Sequence, residues 1–213
     1  FGVDTVNLTP EPATWRRRRN PAGFDVEAPE KWREEDDGDE TVVRNAAGDV
    51  IARRPAGGHY FDPVNPPFAD VEGVAELERR REVIDGFDWP FFADEGLERM
   101  RLRALAMRER GECVVLNLCC HLLAAGQLLR GFEDFMMDMV CEPALSACLL
   151  DMLTTAYQDR ATRLAASLKG LVDVTLLNDH AALCARAPRF IRSPASLFVM
   201  APVDVESFRI TLE

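Results

Sequence analysis

The sequence lacks an unbroken apolar run long enough to cross a bilayer. Its longest candidate, Cys113 to Leu129, is interrupted by Asn117, His121 and Gln127. That falls short of the roughly 20 clean residues a spanning helix needs, so no membrane partner is expected. Near Phe1 there is no basic segment followed by an apolar stretch, so no targeting segment is identified, and the first residues read as mid-domain sequence. Basic charge is also in deficit. Lys and Arg number 25 against 36 Asp and Glu, a formal net charge of -11, which repels a phosphate backbone unless the basic residues gather on one face. Nucleic acid is not an expected partner. Finally, Cys113, Cys119, Cys120, Cys141, Cys148 and Cys184 lie in strand-like or helical apolar context. They lack the close loop spacing of a secreted disulfide scaffold, which points to a reducing cytoplasm.

What is present suffices for one substantial core. A chain of 213 residues, 47% hydrophobic, is expected to fold as a single domain over 1–213. Residues 1–9 read as a short strand, because Val3, Val6 and Leu8 are apolar and Pro10 stops the run. From Thr14 to Glu40 the runs Arg16 to Arg19 and Glu34 to Asp37 show neither helical nor strand period, which predicts an irregular surface excursion. Thr41 to Val43 and Val50-Ile51 flank a turn containing Gly48 and predict a β-hairpin. The Gly- and Pro-rich segment GGHYFDPVNPPFAD is expected to wander over the surface. Together 14–70 form an irregular and hairpin insertion.

Helical spacing begins at Val71, Val74 and Leu77 and continues through Leu97, Met100, Ala104 and Leu105. Cys113 to Leu116 reads as a short buried strand. Helical periodicity then resumes. Phe132, Phe135, Met136 and Met139 share a face, and the Met136, Met137 and Met139 cluster is expected to pack within the helix layer rather than form a cofactor box. Pro143 suits the first residue of a long helix, whose stripe runs from Leu145 to Leu168 before Gly170. A last strand, Val172 to Leu177, leads into Asn178-Asp179-His180. Strand, helices, strand is the grammar of parallel βαβ units, whose strand tips share one face and collect the chemistry.

Three segments carry a family resemblance. FGVDTVNLTPE, VVLNLCCHLLAAGQLLRG and LVDVTLLNDHAALCARAPRFIRSPASLFVMAP resemble, in that order, the early strand, the strand and helix, and the later strand and turn of the uroporphyrinogen decarboxylase family. That family also includes the corrinoid-linked methyltransferases. The resemblance implies an α/β fold, a TIM-type (β/α) barrel. A full barrel takes about 250 residues and eight strands; with only about three barrel strands readable in the sequence, this chain is expected to hold about half of one. Within it, Glu11 takes the place of the family's catalytic aspartate, and His180-Ala181 corresponds to the family's His-Ala-Gly turn. Three departures stand out. Gln127 replaces a substrate-contacting tyrosine, an arginine-rich segment would lie before Phe1, and the methyltransferases' zinc ligands would lie after Glu213.

The activity implied is decarboxylation of acetate side chains on a tetrapyrrole, without metal or organic cofactor. A carboxylate must then stabilise a cationic pyrrole intermediate, and Glu11 or Asp179 is the candidate, with His180 as proton donor. Asn117 and Asn178 end strands and are candidate substrate contacts; His59 and Tyr60 are candidates to cover the substrate. Each has a plainer reading: Glu11 as a solvated loop acid, Asp179 and His180 as turn residues, His59 and Tyr60 as loop filling. Arg16 to Arg19 fit tetrapyrrole carboxylates through bidentate forks, or else form a solvated basic turn. No metal site is assigned, since adjacent residues such as Cys119, Cys120 and His121 rarely direct three side chains at one zinc. The alternatives are a zinc-dependent methyltransferase working with a corrinoid protein, and an inactive truncated fragment or binding remnant. A small-molecule substrate and a homo-oligomer are the partners expected.

Overall fold

The computed structural model describes residues 5–10, 14–20, 23–30, 32–45, 48–85, 94–118 and 121–176. Nine strands and six helices are described in the order β1 (Thr5–Leu8), β2 (Trp15–Arg19), β3 (Asp25–Pro29), β4 (Arg33–Asp37), β5 (Glu40–Arg44), β6 (Val50–Pro55), β7 (Asp62–Pro63), α1 (Val74–Arg79), α2 (Glu82–Asp85), α3 (Asp94–Glu109), β8 (Cys113–Asn117), α4 (Leu122–Arg130), α5 (Phe132–Cys141), α6 (Pro143–Ser167) and β9 (Val174–Leu176).

The strands form three small sheets. β1, β8 and β9 lie side by side and parallel, with Val6 opposite Val114 and Leu116 opposite Thr175. These are the three segments that the sequence pattern places as neighbouring parallel strands. The TIM-type barrel is nonetheless wrong. The described parallel sheet stops at three strands and does not close, while β2–β3 and β4 through β7 pair antiparallel throughout. The error has a physical source, because strand–helix–strand spacing specifies parallel pairing and says nothing about closure.

The second correction concerns 14–40, whose described residues form the strands β2, β3 and β4 rather than an irregular excursion. β2, β3 and β4 carry almost no apolar alternation, yet they pair in register. Arg17 faces Glu27 and Arg19 faces Asp25, and Arg44 reaches back to Glu35 at 2.9 Å. In β2–β3 opposite charges across the ladder supply the side-chain match that apolar pairs usually provide, while in β4–β5 the facing charges are alike, Arg33 with Arg44 and Asp37 with Glu40, and the match runs diagonally from Arg44 to Glu35. The β5–β6 hairpin is as expected: its turn is closed by Asn45 and Asp49, with Gly48 at φ 92°.

α6 is the spine. Its 25 residues bury Leu145, Leu149, Leu153, Leu164 and others, and it packs against α1 to α5. A helix contacted on several sides shows no single apolar stripe. β8 is tied to the helix layer by Asp173, which accepts from the Val114 amide at 2.8 Å and from Arg108 Nη1 at 2.6 and 2.7 Å. α4 and α5 are joined at Gly131, whose φ of 95° suits a residue without Cβ. Across this corner Arg130 donates to buried Asp138 at 2.7 Å and to the carbonyls of Phe68 and Ala69, while the Phe68 amide donates to the Leu129 carbonyl at 2.8 Å.

On α5 the buried residues are Phe135 and Asp138, while Phe132, Met136 and Met137 stand exposed. The expected face is therefore half met: Phe135 is buried and Met139 packs against the core, while Phe132 and Met136 turn outward. A salt-bridged aspartate claims the inner position that hydropathy gives to Met136. Among the described residues no single helix is long and apolar enough to cross a membrane. α5 and α6 reach that length only together, across a 119° bend.

Candidate functional site

A concavity among the described residues lies in the antiparallel part of the chain. It is a cleft of about 800 Å³ walled by Arg16 to Asn20 of β2 and its turn, Glu34 and Asp36 of β4, Thr41 of β5, and Arg54 with the Pro55–His59 turn after β6. The register of the strands explains the wall. Extended backbone sends Arg16 and Arg18 to one face and Arg17 and Arg19 to the other. Thr41 lies opposite Arg54 in the β5–β6 ladder, which brings Arg54 to the same cleft.

One arginine is structural. Arg18 grips Glu34 through both guanidinium Nη atoms, the Nη2 to Oε2 bond being 2.6 Å, and Trp32 Nε1 adds a third donor to Glu34 at 2.7 Å. Burial pushes the Glu34 carboxyl up, but the donors from Arg18 and Trp32 outweigh it and hold the carboxyl below its ordinary value. The same bond raises the Arg18 guanidinium above its usual value.

The other arginines are less committed. Arg16 Nη2 donates to the Trp32 carbonyl at 2.6 Å, and Arg19 Nε donates to the Gly23 carbonyl at 2.9 Å. Arg54 Nη2 donates to Thr41 Oγ1 at 3.2 Å, and its guanidinium lies 4.6 Å from the centre of the Phe61 ring. Phe61 in turn meets Trp32 edge-on, with centroids 5.5 Å apart. A guanidinium carries five N–H donors, so one bond each leaves Arg16, Arg19 and Arg54 with a fork to offer. Arg17 pairs loosely with exposed Glu27 at 3.8 Å, an arrangement that contributes little.

Arg16, Arg18 and Arg54 against Glu34 and Asp36 leave one net positive charge on the face they share, with Arg17 and Arg19 bordering the cleft from the other face of β2, in a chain whose total is -11. A concave low-dielectric wall of one sign focuses its field and concentrates anions. Planar forks match carboxylate and phosphate oxygens in pairs. The site is thus suited to a small molecule with more than one anionic group.

No protein-family model, curated protein or solved structure matches the chain.

The sequence-derived candidates fall into two places. His59 is exposed and lines the cleft, and Tyr60, beside it, is 83% exposed. Asn117 ends β8, half-buried, in the parallel sheet, where the Thr9 carbonyl accepts from Arg103 Nη1 at 3.1 Å and the Leu118 amide donates to the Leu176 carbonyl. Glu11, Asn178, Asp179 and His180 lie outside the described residues. Among the described residues no three His, Cys, Asp or Glu side chains gather as a metal-binding group. Arg54 escapes the sequence reading altogether, and Arg16 to Arg19 enter it only as a run, divided between carboxylate forks and a basic turn. The signal for the run is the acidic residue opposite Arg17 and Arg19, Glu27 and Asp25, which marks a paired strand.

Proposed function

We propose that this chain binds a small molecule carrying several carboxylates in the arginine cleft, and that the ligand is a carboxylated tetrapyrrole. The observation that carries the reading is the cleft itself: about 800 Å³, with Arg16, Arg18 and Arg54 on one face and the Arg54–Phe61–Trp32 cluster beside it. Acetate and propionate groups suit the guanidinium forks, and a planar ring system suits the aromatic edge. The family resemblance points to the same ligand chemistry, and from it follows the proposed reaction, decarboxylation of the acetate side chains. Asp179, His180 and Glu11 are proposed for the proton chemistry on the strength of the sequence alone. A reducing compartment fits the free thiols at Cys113, Cys141 and Cys148.

The test is a fluorescence titration with uroporphyrin, the oxidised eight-carboxylate ring. Saturable binding that weakens about tenfold in Arg16→Ala and again in Arg54→Ala is expected, near 1.4 kcal/mol for each lost charge-assisted contact. Binding that both variants leave untouched, or no binding at low salt, overturns the reading. Anaerobic incubation with uroporphyrinogen then tests the reaction, the expected products being ring systems with fewer carboxylates.

A further inference from the structure

Trp32 stands just before β4, in the link between the two antiparallel sheets, and every group it can engage is engaged. Its amide donates to the Pro29 carbonyl at 2.9 Å, its carbonyl accepts from Arg16 at 2.6 Å, and its Nε1 donates to Glu34 at 2.7 Å. Its ring meets Phe61 edge-on at 5.5 Å. The last three contacts each lead to a different arginine of the cleft. Arg16 is held directly, Arg18 through the Glu34 carboxylate that it shares with Trp32, and Arg54 through the Phe61 ring that its guanidinium faces at 4.6 Å. Trp32 itself is half-buried and lines none of the cleft.

The two forks left to a ligand on this face, Arg16 and Arg54, come from β2 and β6, strands of separate sheets that share no ladder. Trp32 is what connects them. Two guanidinium groups aimed at one cleft repel each other, and a long side chain loses rotamer freedom when a ligand fixes it. Holding both forks before the ligand arrives lowers that cost and sets the distance between them. Forks at a set distance favour carboxylates borne on a rigid ring over carboxylates on a flexible chain. Phenylalanine at this position keeps a ring for Phe61 but has no N–H for Glu34, so substitutions separate the two arms of the side chain.

We propose that Trp32 is the positioning residue of the cleft, setting Arg16 and Arg54 against the fixed Arg18–Glu34 pair so that rigid polycarboxylates are selected, a role that rests on the arginine cleft being the binding site. Titrations of the full chain with uroporphyrin, with benzenehexacarboxylate and with flexible butanetetracarboxylate test it. In wild type, Arg54→Ala is expected to weaken uroporphyrin about tenfold; in Trp32→Leu the same change is expected to cost less than about threefold, because Arg54 is no longer held. Phe61→Leu, which leaves Trp32 in place, should give the same result, and Trp32→Phe should restore the full Arg54 effect. Trp32→Leu should also weaken the two ring-borne ligands more than the flexible one. An Arg54 effect of equal size in every background, the mark of a merely structural tryptophan, overturns the proposal, as does an equal loss of affinity for rigid and flexible ligands. Benzenehexacarboxylate that shows the coupling while uroporphyrin fails to bind upholds the role of Trp32 and removes the tetrapyrrole; no binding of any of the three overturns both.

Discussion

Gly126→Ala sets helix propensity against packing in a single methyl group. Gly126 is buried in the middle of α4, where alanine is favoured over glycine by about 1 kcal/mol. A Cβ at this position would stand 2.5 Å from Phe135 Cζ, 2.6 Å from Cε2 and 2.9 Å from Cε1, where carbon contacts normally settle at about 3.5–4.0 Å. Phe135 is fully buried, so the ring has no solvent side to swing toward. Overpacking of this kind costs about 1–3 kcal/mol, and three close contacts on one ring place it in the upper part of that range. The strain exceeds the propensity gain, and the variant is expected to lose about 1–2 kcal/mol, or roughly 2–8 °C in Tm for a chain of this size. Urea denaturation followed by far-UV circular dichroism measures it. Phe135→Leu removes the clashing ring atoms, so G126A/F135L should be more stable than the two single losses added together, by about 1 kcal/mol. A Gly126→Ala protein as stable as the wild type refutes the reasoning, because α4 and α5 would then not be packed at this distance.

Glu34→Gln keeps the shape of the cleft while removing a negative charge and releasing Arg18. Affinity for uroporphyrin at low salt is expected to rise a few-fold, about 0.5–1 kcal/mol, and an unchanged affinity counts against the cleft as the binding site. The same carboxyl governs acid stability: its folded pKa lies below the unfolded value of about 4.3, so its stabilisation is complete above that value and disappears as pH falls through the folded one. The Tm difference between wild type and Glu34→Gln should therefore narrow as pH drops below about 5, and a constant difference down to strong acid would contradict this assignment. Asp138→Ala strands the Arg130 guanidinium, whose side chain is 12% exposed. A loss of about 3 kcal/mol in urea denaturation is expected, since breaking a buried pair leaves an uncompensated charge; a loss below about 1 kcal/mol would mean that the carbonyls of Phe68 and Ala69 satisfy Arg130 unaided.

Much of the parallel sheet was legible in the sequence. Cys113 to Leu116 is short, β-branched and preceded by Gly111, and nothing competes with a buried strand there. The β5–β6 hairpin was legible for the same reason, with two β-branched runs around Gly48. The strands β2 to β4 were not, because hydropathy periodicity is blind to charged ladders: WRRRR sets Arg17 and Arg19 opposite Glu27 and Asp25, and REEDD meets Arg44 on the diagonal through Glu35, matches visible only once the register is known. Arg54 reaches the cleft through its pairing with Thr41, again a matter of register. The outward rotation of Phe132 and Met136 was hidden because a buried Asp138 reads as polar until its partner, Arg130 on the preceding helix, is seen. Of the candidate site, His59 was found by its loop and Arg16 to Arg19 were named as carboxylate forks or a basic turn, while Arg54 needed the third dimension.

The seam between Phe68 and Leu129 has a mechanical consequence. The chain leaves the parallel sheet after β1, builds its antiparallel sheets, and is sewn down again where the Phe68 amide bonds to Leu129 and the Phe68 carbonyl accepts from Arg130. Extra residues grafted at the outer tip beside Gly48 would ride on the hairpin like a flag on a pole, with the helical layer undisturbed. Shortening the strap between Pro66 and Asp70 by even one residue would instead pull at the corner where α4 turns into α5.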